Sequence, residues 1–172
     1  MRLRAPRPED ASDLGRVHVE AWREGYKDGL MPEEYLASLS VEERAGLWAE
    51  ALERPPRDRS ARLVSVDDSD RVVGFILVGP ADGDADAQEG EVYALNVSPS
   101  VWGRGHGRSL LVGGTDFLRQ ASFDEAILWV HAGNARARRF YEFAGWVDDG
   151  VDRQAEVFGL EVPERRYRTR LS

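Results

Sequence analysis

The 172-residue chain carries 23 basic against 31 acidic side chains, a formal net charge of −8, and no cysteine. Disulfide frameworks, thiolate metal sites and cysteine nucleophiles are thereby excluded; three scattered histidines argue against a zinc centre, and no metal is expected. The length suits one domain over residues 1–172 with a core that needs no staples. The acidic balance disfavours nucleic acid and anionic membranes as partners. The longest apolar run, Val72 to Val78, is too short to cross a bilayer. The opening MRLRAPRPED has no apolar signal core, so the cytoplasm is the expected compartment.

In chain order, Arg2 to Ala5 alternates like a short strand. Pro8-Glu9-Asp10 then leads into Ala11, Leu14, Val17 and Ala21 at helical spacing. Ser40 with Glu43 forms a capping box for a second helix whose apolar face is Val41, Ala45, Trp48 and Leu52. Ala61 to Val66 and Val72 to Val78, joined by Asp67-Asp68-Ser69-Asp70, read as an antiparallel hairpin. The Gly/Asp/Ala-rich stretch from Gly79 to Gly90 reads as a mobile loop. Glu91 to Val97 is a strand, and the glycines of VWGRGHGRSLL open a helix bearing Leu110, Leu111, Phe117 and Leu118. Ile127 to Val130 reads as a buried strand, and Asn134 caps a short helix that Gly145 ends. Two last strands are expected around Ala155 to Leu160 and Arg166 to Leu171, with Pro163 between them. This order implies an α/β (α+β) sandwich around a mixed sheet.

The charge map marks two segments. Val101 to Thr115 holds Arg104 and Arg108 and no acid; Ala126 to Tyr141 holds Arg136, Arg138 and Arg139 and no acid. Glycines at 103, 105 and 107 free the backbone to turn, and bare N–H groups at a helix start suit a phosphate or pyrophosphate. A Walker loop is ruled out because the only lysine is Lys27. The dinucleotide fingerprint fails at Leu110 counted from Gly105 and at Arg108 counted from Gly103.

The strand EVYALNV, SPSVWGRGHGRSLL, the strand ILWV and HAGNARARRFYEFAGW together resemble the two central motifs of the GNAT superfamily of acyl-CoA-dependent N-acyltransferases. HVEAWREGY, LMPEEYL and the closing RYRTRL extend the resemblance to nearly the whole chain. Gly105 and Gly107 match the family's glycine motif, while Trp102 stands where the family has Gln or Arg. The resemblance implies a mixed, mostly antiparallel sheet of six to seven strands with helices on both faces, splayed at two central strands. It implies acetyl-CoA as cofactor, its pantetheine arm along Leu95, Asn96 and Val97, with the Leu95 N–H as oxyanion donor. The pyrophosphate would lie over Gly103, Arg104, Gly105, His106, Gly107, Arg108 and Ser109, with His106 able to add a donor. Asn134 would bond the arm.

In that family a tyrosine at the position of Tyr141 protonates the departing thiolate. A phenol of pKa about 10 can serve a thiolate whose conjugate acid lies near 8.5. The alternative for Tyr141 is a core aromatic on an amphipathic helix, as expected of Phe140 and Phe143. Glu91 stands where one branch of the family carries its catalytic base, and Tyr93 would share its face of the strand. The alternative is a solvated Glu91 with water as the relay; Glu20 and Glu24 are lesser candidates. Trp22 and Tyr26, one helical turn apart, fall in the acceptor region or in the packing. Without cysteine or a G-x-S-x-G elbow, direct attack by a primary amine is expected. The acceptor is a small-molecule or peptide amine, and a homodimer is left open. The competing reading is a non-catalytic acyl-CoA-binding sensor or structural module.

Overall fold

A computed structural model describes residues 1–171. Seven strands form one continuous sheet: β1 (Arg2–Arg4), β2 (Ala61–Val66), β3 (Val72–Pro80), β4 (Gly90–Val97), β5 (Glu125–His131), β6 (Val147–Val157) and β7 (Leu160–Arg170). Their order is β1-β2-β3-β4-β5-β7-β6, with every neighbouring pair antiparallel except β4 and β5. The helices are α1 (Ala11–Gly25), α2 (Glu33–Ser38), α3 (Val41–Leu52), α4 (His106–Gln120) and α5 (Ala135–Phe143).

Alternation along the strands divides the core in two. Leu14 and Val17 of α1 and Trp48 and Leu52 of α3 pack on Val64 and Phe75. On the opposite face Leu110, Leu111 and Leu118 of α4 and Tyr141 of α5 pack on Ile76, Val78, Val92, Leu128 and Val130. A third cluster, Val19, Met31, Leu36, Leu39 and Val162, ties the α1–α2 segment to β7.

The hairpin turn forms as its sequence dictates: Asp67 Oδ1 accepts from the N–H groups of Ser69 and Arg71. Two glycines inside α4 face the sheet, since a Cβ on Gly113 would stand 2.8 Å from Leu3 and one on Gly114 2.7 Å from Ile76. Small size lets α4 settle close on the sheet.

Four expectations need correction. A third N-terminal helix, α2, is present; six residues are too few to display a helical period, and Arg23 holds its last carbonyls at Leu36 and Leu39. Val41 is exposed, so the apolar face of α3 begins further along at Trp48 and Leu52. The segment after β3 is anchored, with Arg59 bonding the carbonyls of Ala85 and Ala87 and Arg57 that of Gly83. Pro163 lies inside β7 opposite Gln154, and the chain reverses at Phe158-Gly159 instead. Pro163 sits one residue beyond the last β5 partner of β7, where the ladder to β5 has ended.

Gly15 shows how closely the first layer is assembled. A Cβ there would meet the backbone of α3, 2.6 Å from Ala45 N and 2.8 Å from Val41 O. Alanine usually favours a helix interior by about 1 kcal/mol over glycine. Gly15→Ala should nonetheless destabilise the fold by about 1–3 kcal/mol, because backbone cannot rotate out of the way. Urea unfolding of the variant checks the sign.

Candidate functional site

The site begins with an extra residue. Across β3 and β4, Leu77 pairs with Ala94 and Val78 with Val92, which leaves Tyr93 as a bulge. On its other edge β4 pairs with β5 only at Gly90–Ala126, Glu91–Ile127 and Val92–Leu128. Beyond Val92 the two strands part. Leu95, Asn96 and Val97 therefore remain on β3 while their β5 edge borders a gap.

Glu91 occupies the last stretch of intact pairing. It is buried, 8% exposed, which removes the reading of a solvated strand-end carboxylate. Its Oε1 accepts the Asp82 N–H at 2.9 Å. Burial pushes the Glu91 carboxyl above the usual carboxylate range, and the Asp82 N–H offsets part of that. Tyr93 lies beside it, half-exposed, but its hydroxyl turns back to donate to the Pro80 carbonyl. Gly79 permits this, because a Cβ there would stand 2.6 Å from the Tyr93 oxygen.

Tyr141 is 9% exposed on the α4/α5 side of the sheet, its ring edge-on to Phe140 and Trp146. Its hydroxyl makes no hydrogen bond to protein among the described residues, and burial pushes the phenol upward, keeping it protonated at neutral pH. Tyr26, from the opposite helix layer, also acts on it.

At the glycine turn, Gly103 and Gly105 have φ of +77° and +90°, and Gly105 is the N-cap of α4. Past it the first-turn N–H groups of His106, Gly107 and Arg108 lie at the positive end of the helix. Arg104 and Arg108 are exposed, without ion-pair partners among the described residues. Ser109 continues the helix, its N–H bonded to the Gly105 carbonyl. The His106 ring is a correction: it turns inward, buried, with Nδ1 2.6 Å from Ser65 Oγ, so only its backbone faces the turn. Arg138 is likewise withdrawn from the positive surface, since it bonds the Tyr167 hydroxyl, the Ala132 carbonyl and Asp148.

Asn134 caps α5, its Oδ1 accepting the Ala137 N–H at 3.1 Å, which leaves the side-chain NH₂ for another acceptor. Trp102 does more than fill a motif position. Its indole N–H donates to the Val97 carbonyl at 2.8 Å, and Arg136 stacks over its ring at 3.5 Å. Together they wall a hollow of about 350 Å³ shared with Glu24, Leu30 and Asn134. A larger groove of about 720 Å³, bordered by Asp82, Asp84, Glu89, Asp124 and Glu125, includes none of the expected site residues.

The α1 side of the gap is aromatic. Trp22 lies edge-on to Tyr26 and Phe158, at 5.2 and 5.5 Å, and 4.8 Å from the His18 ring. Burial, with the charge of Arg44, lowers His18 to about 4, so it is uncharged at neutral pH. Burial and Glu164 raise Tyr26 to about 12. His131 joins the two halves: its Nδ1 accepts the Gly133 N–H at 2.9 Å and its Nε2 faces the Leu30 carbonyl at 2.8 Å, which makes Nε2–H the donor. Nothing in the sequence around His131 marks this bridge, and no motif marks Trp129, Arg153 and Glu164 as site residues. Alternation along β5 gives Trp129 the face of Ile127, but nothing local announces which β6 and β7 side chains lie across from it.

The profile of the Acetyltransferase (GNAT) family matches residues 16–146. The uncharacterized N-acetyltransferase YuaI of Bacillus subtilis is 32% identical over 128 residues, 74% of this chain and 70% of that protein. The mycothiol acetyltransferase of Kocuria rhizophila is 44% identical over 91 residues, 52% of this chain but only 30% of its own length. The PaiA N-acetyltransferase of Thermoplasma acidophilum, solved in complex with coenzyme A, superposes with a TM-score of 0.68 at 21% identity, covering 95% of this chain and 96% of that one. The chain belongs to the acetyltransferase (GNAT) family.

The His131 bridge is testable as structure. His131→Ala removes both part-buried hydrogen bonds of a buried ring, to the Leu30 carbonyl and the Gly133 N–H, and should cost about 0.5–2 kcal/mol in urea unfolding.

Proposed function

We propose that the chain is an acetyl-CoA-dependent N-acetyltransferase, acting from one domain in the cytoplasm on a primary amine of a small molecule or peptide. The observation that carries this reading is the pairing of a buried, unbonded phenol at Tyr141 with a buried carboxyl at Glu91 around a gap between splayed strands.

The residues present fit the cofactor. Gly103 and Gly105 adopt φ values that leave the turn free of side chains, and the N–H groups of residues 106–108 with Arg104 and Arg108 offer donors and charge to a pyrophosphate. The β5 edge of Leu95, Asn96 and Val97 and the Asn134 amide would hold the arm, with the Leu95 N–H opposite the developing oxyanion. At the Val97 carbonyl the arm would share the oxygen with the Trp102 indole N–H, using its second lone pair. Bound acetyl-CoA would supply the activated acyl group and a thiolate leaving group.

Glu91 then has a defined task. Asp82 holds Oε1, which leaves Oε2 to take a proton from the incoming ammonium. Its raised pKa brings the carboxyl nearer to the operating pH, which favours a general base. Tyr141 delivers its phenol proton to the leaving group. Trp22, Tyr26 and Tyr93 would border the acceptor.

Tyr141→Phe should lower kcat roughly 100-fold with CoA affinity retained by calorimetry; an unchanged rate removes the acid role. Glu91→Gln should lower kcat and displace the ascending limb of the pH–rate profile, and an unmoved profile gives the base to water. The same variant carries a stability signature. A carboxyl raised by folding binds its proton more tightly when native, so its contribution falls as pH rises above the unfolded value. Glu91→Gln should therefore melt no lower than wild type at pH 7, and its advantage should shrink toward acid. CoA binding without transfer to any amine would identify the non-catalytic acyl-CoA-binding module.

A further inference from the structure

Trp129 is the first residue of β5 after the pairing with β4 ends, and it shares the face of Ile127, the partner of Glu91. Two residues along a strand and one strand across place the α carbons of Glu91 and Trp129 roughly 8 Å apart. The Trp129 ring is flanked by two guanidiniums, with Arg153 at 4.0 Å and Arg166 at 5.8 Å from its centre. Arg166 is its cross-strand partner on β7, and Arg153 reaches over from β6.

Both arginines are held by one nitrogen only. Arg153 gives Nε to Glu164 at 2.8 Å, and Arg166 gives Nε to Asp149 at 2.6 Å. Among the described residues, the two terminal nitrogens of each make no hydrogen bond to protein. The anchoring carboxylates fix the direction of each fork and leave its tips open, the geometry in which guanidinium takes a planar carboxylate. The indole Nε1 beneath them is buried and has no partner. By strand register Glu91, Trp129, Arg166, Glu164 and Arg153 all stand on one face of the sheet, so this cluster and the expected base lie on the same side.

We propose that the acceptor carries a carboxylate as well as its amine. The carboxylate would sit on the terminal nitrogens of Arg153 and Arg166 above Trp129, with the amine directed to Glu91. The substrate class is thus an amino acid, in preference to a polyamine or a simple alkylamine. This assignment rests on the transferase reading above for the amine's fate, though the carboxylate subsite is testable alone.

The experiment titrates the CoA-loaded chain calorimetrically with amino acids and with the amides of the same amino acids, and follows thiol release from acetyl-CoA with each pair. At least one acid should bind 10-fold or more tightly than its amide. That ratio should collapse toward one in Arg153→Gln and Arg166→Gln, and remain partly intact in Arg153→Lys, which keeps the charge without the fork. Trp129→Phe, which keeps a ring under the guanidiniums, should lose only about 3-fold. Equal or tighter binding of the amides, or binding of neither, overturns the carboxylate subsite. So does turnover of carboxylate-free amines that adding a carboxylate fails to improve, a result that leaves the transferase reading standing. Acid-selective binding without thiol release does the reverse.

Discussion

Everything at the site depends on β4 being unable to satisfy both neighbours along its full length. Tyr93 inserts one extra residue against β3, and from there the strand follows β3 while β5 follows β7. A central strand with a free edge is costly inside a sheet, because backbone donors and acceptors need partners. Here that edge borders the gap opened where β4 and β5 part after Val92. Unpaired backbone in the middle of the sheet thus keeps a fixed geometry, because β4 and β5 each remain paired on their far sides.

The electrostatics follow from how each charge is employed. Of the five arginines in the two acid-free segments, Arg138 braces α5 against β6 and β7 and Arg136 lies on an indole, while Arg104 and Arg108 stay exposed beside the glycine turn. On the opposite side, Arg153 and Arg166 are each tethered by a single carboxylate. Net charge says little about such a cleft. What matters is whether a guanidinium's donors are spent on the fold, as those of Arg138 are, or kept at its tips.

The fold was legible where one short pattern decides one local structure. Ser40 bonds the Glu43 N–H, Asn134 caps α5, Asp67 closes the hairpin and Gly145 ends its helix, as their residue types dictate. Legibility failed where a distant partner decides. Pro163 looked like a break, and becomes strand because the ladder beside it has already stopped. His106 sits in the glycine turn by sequence, yet Ser65, 41 residues away, draws its ring inward. Trp129 was readable as strand but not as a platform, since the arginines over it come from β6 and β7 through a register set partly by the bulge between Asp148 and Asp152.

His131 receives the Gly133 N–H on one ring nitrogen and faces the Leu30 carbonyl with the other. Gly133 leads into the helix that bears Asn134 and Tyr141, and Leu30 belongs to the turn that follows Tyr26. One imidazole thus joins the wall expected to seat the cofactor to the wall expected to seat the acceptor. The start of α5 and the α1–α2 turn are therefore held in fixed register by a single buried ring, and neither can shift without breaking a hydrogen bond to it.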